Sequence, residues 1–160
     1  MKFLLALALP LYGLDQLTKW WVVRNIEFRT ELRPVIDDFF YLCHWDNTGS
    51  AFGLFKNFNA GFIVISIVAL IALVVFNARG AFRDSPSRWG VGLLLGGILG
   101  NLTDRLIHGH VVDFLLFDLH VRYANPWPAF NVADSCICVA AGLFILSSFK
   151  EAWAEKPTVA

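Results

Sequence analysis

Four stretches of this chain, 3–23, 61–76, 89–107 and 129–149, are dominated by Leu, Val, Ile and Phe. A helix needs about 20 apolar residues to cross the hydrocarbon core of a bilayer, and about 17 suffice when flanking residues help. Within lipid only helices and closed barrels satisfy every backbone N–H and C=O. The runs therefore predict a membrane all-α bundle of four transmembrane helices, in one integral membrane domain spanning 1–160. Composition agrees, since 57% of the 160 residues are hydrophobic and 16% are charged, where soluble domains carry about a quarter charged. Thirteen basic and thirteen acidic residues cancel, so no net field draws nucleic acid, and none is expected as a partner.

The first stretch, "MKFLLALALPLYGL", also has the charged start and small residues of a secretory signal. Apolar character continues through "TKWWVV", which makes the segment long enough to span. Four crossings put both termini on one side. The short connection "NARGAFRDSPSR" carries Arg79, Arg83 and Arg88 against Asp84, and such basic density belongs to the cytoplasm. Both termini then face the cytoplasm, with Lys2, Lys150 and Lys156 in agreement. Trp20, Trp21, Trp89, Trp127 and Trp153 fall at the expected borders, where indoles prefer to sit.

Residues 24–59, between the first two helices, read as an extracytoplasmic β-rich insertion. "FFYLCHW" has strand composition, "DNTG" a turn, and "SAFGLF" a second short apolar run, which predicts a small extracytoplasmic antiparallel β-sheet. Such a sheet needs the bundle or lipid beneath it, because two or three strands alone are marginal.

Polar residues gather at the outer ends of three helices. Asn101, Asp104, Arg105 and His108 share a face by their i, i+3, i+4, i+7 spacing. Asn131, Asp134 and Ser135 repeat the i, i+3, i+4 relation, and counting from Ala129 sets Asp134 roughly 8 Å inside its helix. Asp15 and Lys19 are an i, i+4 pair in the first helix, and Asp113 lies just beyond the third. Ionisable groups in a bilayer cost a few kcal/mol each unless they face one another or a cavity. Asp15 with Lys19 reads as a structural pair, and Asp104 and Arg105 read as structural residues bonded across helices.

Asp113 and Asp134 have no basic neighbour at helical spacing. If they meet, both cannot ionise easily, and the pair holds one proton. That state can deprotonate a water while donating to a carbonyl. Sequence spacing leaves other readings open. His108, His110, Asp113 and Asp134 number enough for a zinc site, and Asp15, Asp104, Asp113 and Asp134 could relay protons or ions in a small transporter, although no interrupted helix pair supports one. "GSAFG" at 49–53 is only superficially a nucleophile elbow, since Ser50 is not central. Cys43, Cys136 and Cys138 form no CxxC motif or even disulfide framework.

Five ordered blocks carry a resemblance: "DQLTKWW" at 15–21, "NTGSAFG" at 47–53, "GNLTDR" at 100–105, "VVDF" at 111–114 and "FNVADS" at 130–135. Together they resemble the bacterial lipoprotein signal peptidases, signal peptidase II. The resemblance implies an intramembrane aspartyl endopeptidase of the bacterial inner membrane. Its substrate would be a diacylglyceryl prolipoprotein, cut just before the lipidated cysteine. It implies Asp113 and Asp134 as catalytic residues, and Asn47, Asn101, Arg105 and Asn131 as groups that hold the substrate backbone or the aspartates. Asp15, Lys19 and Asp104 would be structural. No cofactor or metal is implied, membrane lipid is the surrounding partner, and the chain is expected to act as a monomer with its site at the extracytoplasmic face. Thr103 departs from the apolar residue common in the "GN..DR" block, and "LLFDLHVRYANPW" is a long connection between the two aspartate motifs.

Overall fold

The computed structural model describes residues 2–49, 58–121 and 126–154. The elements, in chain order, are α1 (Lys2–Asn25), β1 (Arg33–Ile36), β2 (Phe40–Asn47), α2 (Asn59–Ala78), α3 (Ser85–His108), β3 (Val111–Phe117) and α4 (Val132–Ala154). The expected strand in "SAFGLF" lies outside the described residues.

The centre of the bundle is α3, which packs against α1, α4 and α2. Small residues let its neighbours come close. A methyl group at Gly97 would sit 2.5 Å from the Ala133 carbonyl oxygen of α4, and one at Gly100 would sit 2.5 Å from the Asp15 carboxylate of α1. On α1 the buried residues Leu4, Ala8, Asp15, Lys19 and Val22 form a seam at steps of three, four and seven, the pattern of one helix face turned toward a partner. Two of the five are charged, and they are tolerated because they meet partners there. By contrast α2 buries no residue, and Val64, Ile65, Val68 and Ile71 are exposed. A helix that is apolar and unburied has lipid for its solvent.

Among the described residues, three helices have the length and composition of a membrane span: α2, α3 and Val132–Lys150 of α4. Expected as a fourth, α1 is 24 residues long, but Asp15, Gln16 and Lys19 in its C-terminal half lower its hydropathy. The helix starts also differ from the apolar runs. Asp84 caps α3 by accepting from the Ser87 N–H at 3.4 Å, and a proline in the first turn follows, so the helix begins before Trp89 in polar sequence. Ser147 of α4 donates to the same carboxylate at 2.9 Å. At the other end α4 starts at Val132, not Ala129.

The sheet has the order β1-β2-β3, antiparallel throughout. Its third strand comes from beyond 24–59, because β3 follows α3 directly. Gly109, at φ 79°, closes α3 with its N–H on the Arg105 carbonyl, a left-handed cap that glycine adopts without steric cost. The chain then enters β3, whose Val112 and Phe114 join Val22 and Ile26 of the α1 end in a core. Phe130 pairs with Leu115 in an isolated bridge, its N–H on the Leu115 carbonyl at 3.1 Å. That bridge brings the start of α4 alongside β3.

Candidate active site

Asn131 immediately precedes α4 and acts as its cap. Its Oδ1 accepts the N–H of Asp134 at 2.8 Å, and Asp134 Oδ2 accepts the N–H of Asn131 at 3.3 Å. This reciprocal exchange is a capping box, which satisfies two donors left over at a helix start. Asp134 therefore lies in the first turn of α4, shallower than a start at Ala129 implied. The amide nitrogen of Asn131 points to β3 and donates to Asp113 Oδ1 at 2.9 Å. One fully buried asparagine thus touches both acids.

Each carboxylate has a second amide. Asn101 Nδ2 donates to Asp134 Oδ1 at 2.7 Å, and Asn47 Nδ2 donates to Asp113 Oδ2 at 2.9 Å. Sheet geometry explains the second bond. Asp113 is opposite Trp45, and Asn47 is opposite Val111, so Asn47 is the diagonal neighbour of Asp113 on one face of the ladder. The Gly49 N–H holds Asn47 Oδ1 at 3.0 Å, which fixes the amide with its nitrogen toward the acid. Burial, and then the charge of Asp134, push the Asp113 carboxyl up to about 7, against the opposing effect of its amide donors and Lys19. Cys43 packs with its thiol 3.9 Å from the Asp113 carbonyl. Burial pushes that thiol up to about 12, so it stays protonated at neutral pH.

Beneath the acids is a charged clamp. Lys19 Nζ lies 2.8 Å from Asp15, 2.8 Å from Asp104 and 3.0 Å from Asn101 Oδ1. Asp15 also accepts the Ala133 N–H at 2.9 Å, and Asp104 accepts the Val112 N–H at 3.2 Å. Three residues thereby tie α1, α3, α4 and β3 together. Asp104 and Arg105 do not share a partner, because adjacent residues on a helix diverge by about 100°. Asp104 faces α1, whereas Arg105 turns toward the segment after β2, donates to the Gly49 carbonyl at 3.3 Å and lies over the Phe62 ring. Gln16 completes the clamp, donating to Asp104 at 3.0 Å and to the Gly100 carbonyl at 3.2 Å. Sequence reasoning passed over it, although it stands inside "DQLTKWW". Among the described residues, no buried side-chain nitrogen or oxygen lacks a partner.

A cavity of about 400 Å³ opens beside Asp134. Asn47, Asn101, Arg105 and Asp134 supply its polar side, and Trp127, Phe130 and Ile137 an apolar wall. Its shape offers an extended backbone hydrogen-bonding groups on one flank and a greasy surface on the other. The histidines do not join this group. His110 Nε2 pairs with Asp46 at 3.0 Å and its ring stacks near His108, and no described cluster of three His, Cys, Asp or Glu side chains could hold a metal ion. Ser50 and Gly53 lie outside the described residues.

Comparison with known proteins gives concordant matches. The family model for signal peptidase (SPase) II matches residues 7–150. A lipoprotein signal peptidase of Syntrophotalea carbinolica is 40% identical over 153 residues, covering 94% of this chain and 92% of the relative. A bacterial membrane enzyme solved in meso at 2.3 Å resolution superposes with a TM-score of 0.89 at 28% identity, over 100% of this chain and 95% of that one. A second, solved at 1.9 Å, gives 0.82 at 29% identity over 94% of both chains.

Proposed function

The chain belongs to the signal peptidase II family, and from that premise we propose that it is an aspartic endopeptidase that removes the signal peptide from diacylglyceryl-modified prolipoproteins, with Asp113 and Asp134 as its catalytic residues. The observation that carries the assignment is the bridge through Asn131, whose amide and backbone bind both carboxyl groups at once. An acid with a carboxyl pushed up to about 7 beside a second carboxylate is a pair suited to share one proton.

In this reading Asp113 holds the proton and Asp134 is ionised. Asp134 takes a proton from water as the water oxygen bonds to the scissile carbonyl carbon, and Asp113 gives its proton to the carbonyl oxygen. The resulting diol collapses as Asp113 recovers that proton. Asp134 passes its own to the leaving nitrogen, and the C–N bond breaks. Two carboxyl groups and one water account for every proton. Asn47, Asn101, Arg105 and Asn131 bind the substrate backbone or hold the acids, and Asp15, Lys19 and Asp104 keep the supporting clamp.

The protein is read as a monomer of the bacterial inner membrane, in one domain with four spans. Counting α1 as the fourth is supported by burial: Asp15 and Lys19 are 1% and 3% exposed, while Leu5, Leu9, Leu14 and Leu17 face outward. Its charges meet protein and its apolar face meets lipid. Basic residues at the α2–α3 connection support cytoplasmic termini, which would put the acids at the extracytoplasmic edge, with the 24–59 insertion above them. There the signal helix can enter sideways and the acyl chains remain in lipid. A transporter is not favoured, since the family match and the single polar layer both point to surface chemistry.

The test is cleavage of lipidated and unlipidated precursor by pure protein. Lipidated precursor should be cut before its modified cysteine and the unlipidated form much more slowly, and D113N and D134N should each lose about 10³-fold or more in turnover while staying folded. Normal cleavage by either folded variant would falsify the catalytic pair.

A further inference from the structure

Lys19 makes more bonds than charge balance requires. Asp15 and Asp104, each 2.8 Å away, already offset its ammonium. The third N–H nevertheless goes to Asn101 Oδ1 at 3.0 Å, and Asn101 Nδ2 goes to Asp134 at 2.7 Å. An ammonium has three donors and no acceptor, so all three are committed, one of them toward the reacting acids.

That third bond determines how Asn101 acts. An amide can be turned over with little change in shape, exchanging its oxygen and nitrogen. Here a reversal would set the NH₂ against the Lys19 ammonium and the carbonyl oxygen against the Asp134 carboxylate, two repulsions in a poorly solvated place. The Asn131 amide also reaches Asn101 Oδ1, at 3.1 Å. However, its two hydrogens are divided among Asn101, the Val112 carbonyl and Asp113, so it is the weaker anchor. The charged groups around Lys19 are Asp15 on its own helix, Asp104 on α3, Asp113 on β3 and Asp134 on α4. The charge of Lys19, which is 3% exposed, acts on both Asp113 and Asp134, and a nearby positive charge favours the ionised form of an acid.

We propose that Lys19 is a positioning residue for peptide hydrolysis, whose ammonium fixes Asn101 with its nitrogen on Asp134 and so holds Asp134 as the ionised, cavity-facing base. This goes beyond a clamp that merely joins α1 to α3, and it rests on the reading of Asp113 and Asp134 as the reacting pair. Asn101 transmits the effect and Lys19 sets it.

The variant that separates the two roles is K19M with D104N, which removes one cation and one anion together and leaves the clamp's net charge unchanged. In folded, monodisperse protein we expect kcat on lipidated precursor to fall about tenfold or more with KM nearly unchanged. The pH–rate profile should move up by about one pH unit, because the acids lose a stabilising cation. D104N alone, which keeps the Lys19–Asn101 bond, should keep kcat within a few-fold of wild type. K19Q is the second variant: its amide can still donate to Asn101 without charge, so it should show the profile shift with a smaller loss of kcat. Wild-type kcat and profile in folded K19M/D104N would overturn the proposal, and so would failure of both K19M/D104N and K19Q to fold, which would make Lys19 a purely structural residue. An active D134N enzyme would instead remove the catalytic pair itself, so the two failures are distinguishable.

Discussion

The carboxylate of Asp15 in α1 accepts the backbone N–H of Ala133 at 2.9 Å, in the first turn of α4 and 118 residues away in sequence. First-turn N–H groups have no partner within their own helix, and a negative charge there also suits the helix dipole. Asp15 therefore does two jobs, anchoring Lys19 on one oxygen and aiming α4 with the other.

Removing that carboxylate should be costly. D15A leaves Lys19 with one fewer counter-charge in a buried place, and breaking a buried pair from one side costs about 3–5 kcal/mol. The thermal midpoint in detergent should drop clearly. D15N retains an oxygen for the Ala133 N–H and should lose less. Equal midpoints for D15A and D15N would show that the cap to α4 contributes nothing.

Asn131 allows its two roles to be tested apart. Serine is also a good residue before a helix, so N131S should preserve the α4 cap to within a few tenths of a kcal/mol, whereas N131A should lose about 1 kcal/mol. Neither can donate to Asp113 as the amide does. Both should turn over lipidated precursor at least about tenfold more slowly, with N131S near wild type in thermal stability. An N131S enzyme of full activity would mean that the bridge to Asp113 is dispensable.

How far these relationships could be read from the chain depends on their range. Helices came through because hydropathy is a local signal, and Asp113, Asp134, Asn47, Asn101, Arg105 and Asn131 came together because their motifs resemble a known family. The third strand did not come through. In "VVDFLLF" residues 111–114 and Leu116 are all buried, and a strand covered on both faces shows no alternation of polar and apolar residues. Its pairing with β2 also spans more than 60 residues. The partner of Asp104 is not legible for a similar reason, since Lys19 is 85 positions away and helix-to-helix register is a property of packing. Gln16 gave no signal of its own, because a lone glutamine on a membrane helix shows nothing about where its amide points.

The close approach of α3 and α4 predicts a contrast between glycines. In G97A the new methyl group would meet the Ala133 carbonyl oxygen at 2.5 Å and Ile137 at 2.9 Å, so backbone must shift at the start of α4, where Asp134 stands. Overpacking of this kind costs about 1–3 kcal/mol, and activity should fall with stability. At Gly13 in α1 a methyl group meets nothing within 4 Å. G13A should therefore be neutral or gain up to about 1 kcal/mol from helix propensity. Thermal unfolding of the two variants side by side checks the prediction, and a stable, active G97A would contradict the close contact.

The elevated Asp113 carboxyl gives two pH signatures with a defined sign. For catalysis, the singly protonated pair is the active form, so the kcat/KM profile should be bell-shaped. Its alkaline limb should fall as the shared proton is lost near pH 7, and its acid limb should fall as a second proton is added. For stability, the folded value lies above the ordinary 3.8, so the folded protein binds this proton more tightly than the unfolded chain. The resulting stabilisation is complete below about pH 4 and disappears as pH rises through about 7. Wild-type protein should thus lose thermal midpoint relative to D113N between pH 5 and pH 8, because the variant has no proton to lose at that position. Parallel curves for the two proteins across that range would show that the Asp113 carboxyl is not raised in the folded protein, and a flat rate profile through pH 7 would remove the shared proton from the mechanism.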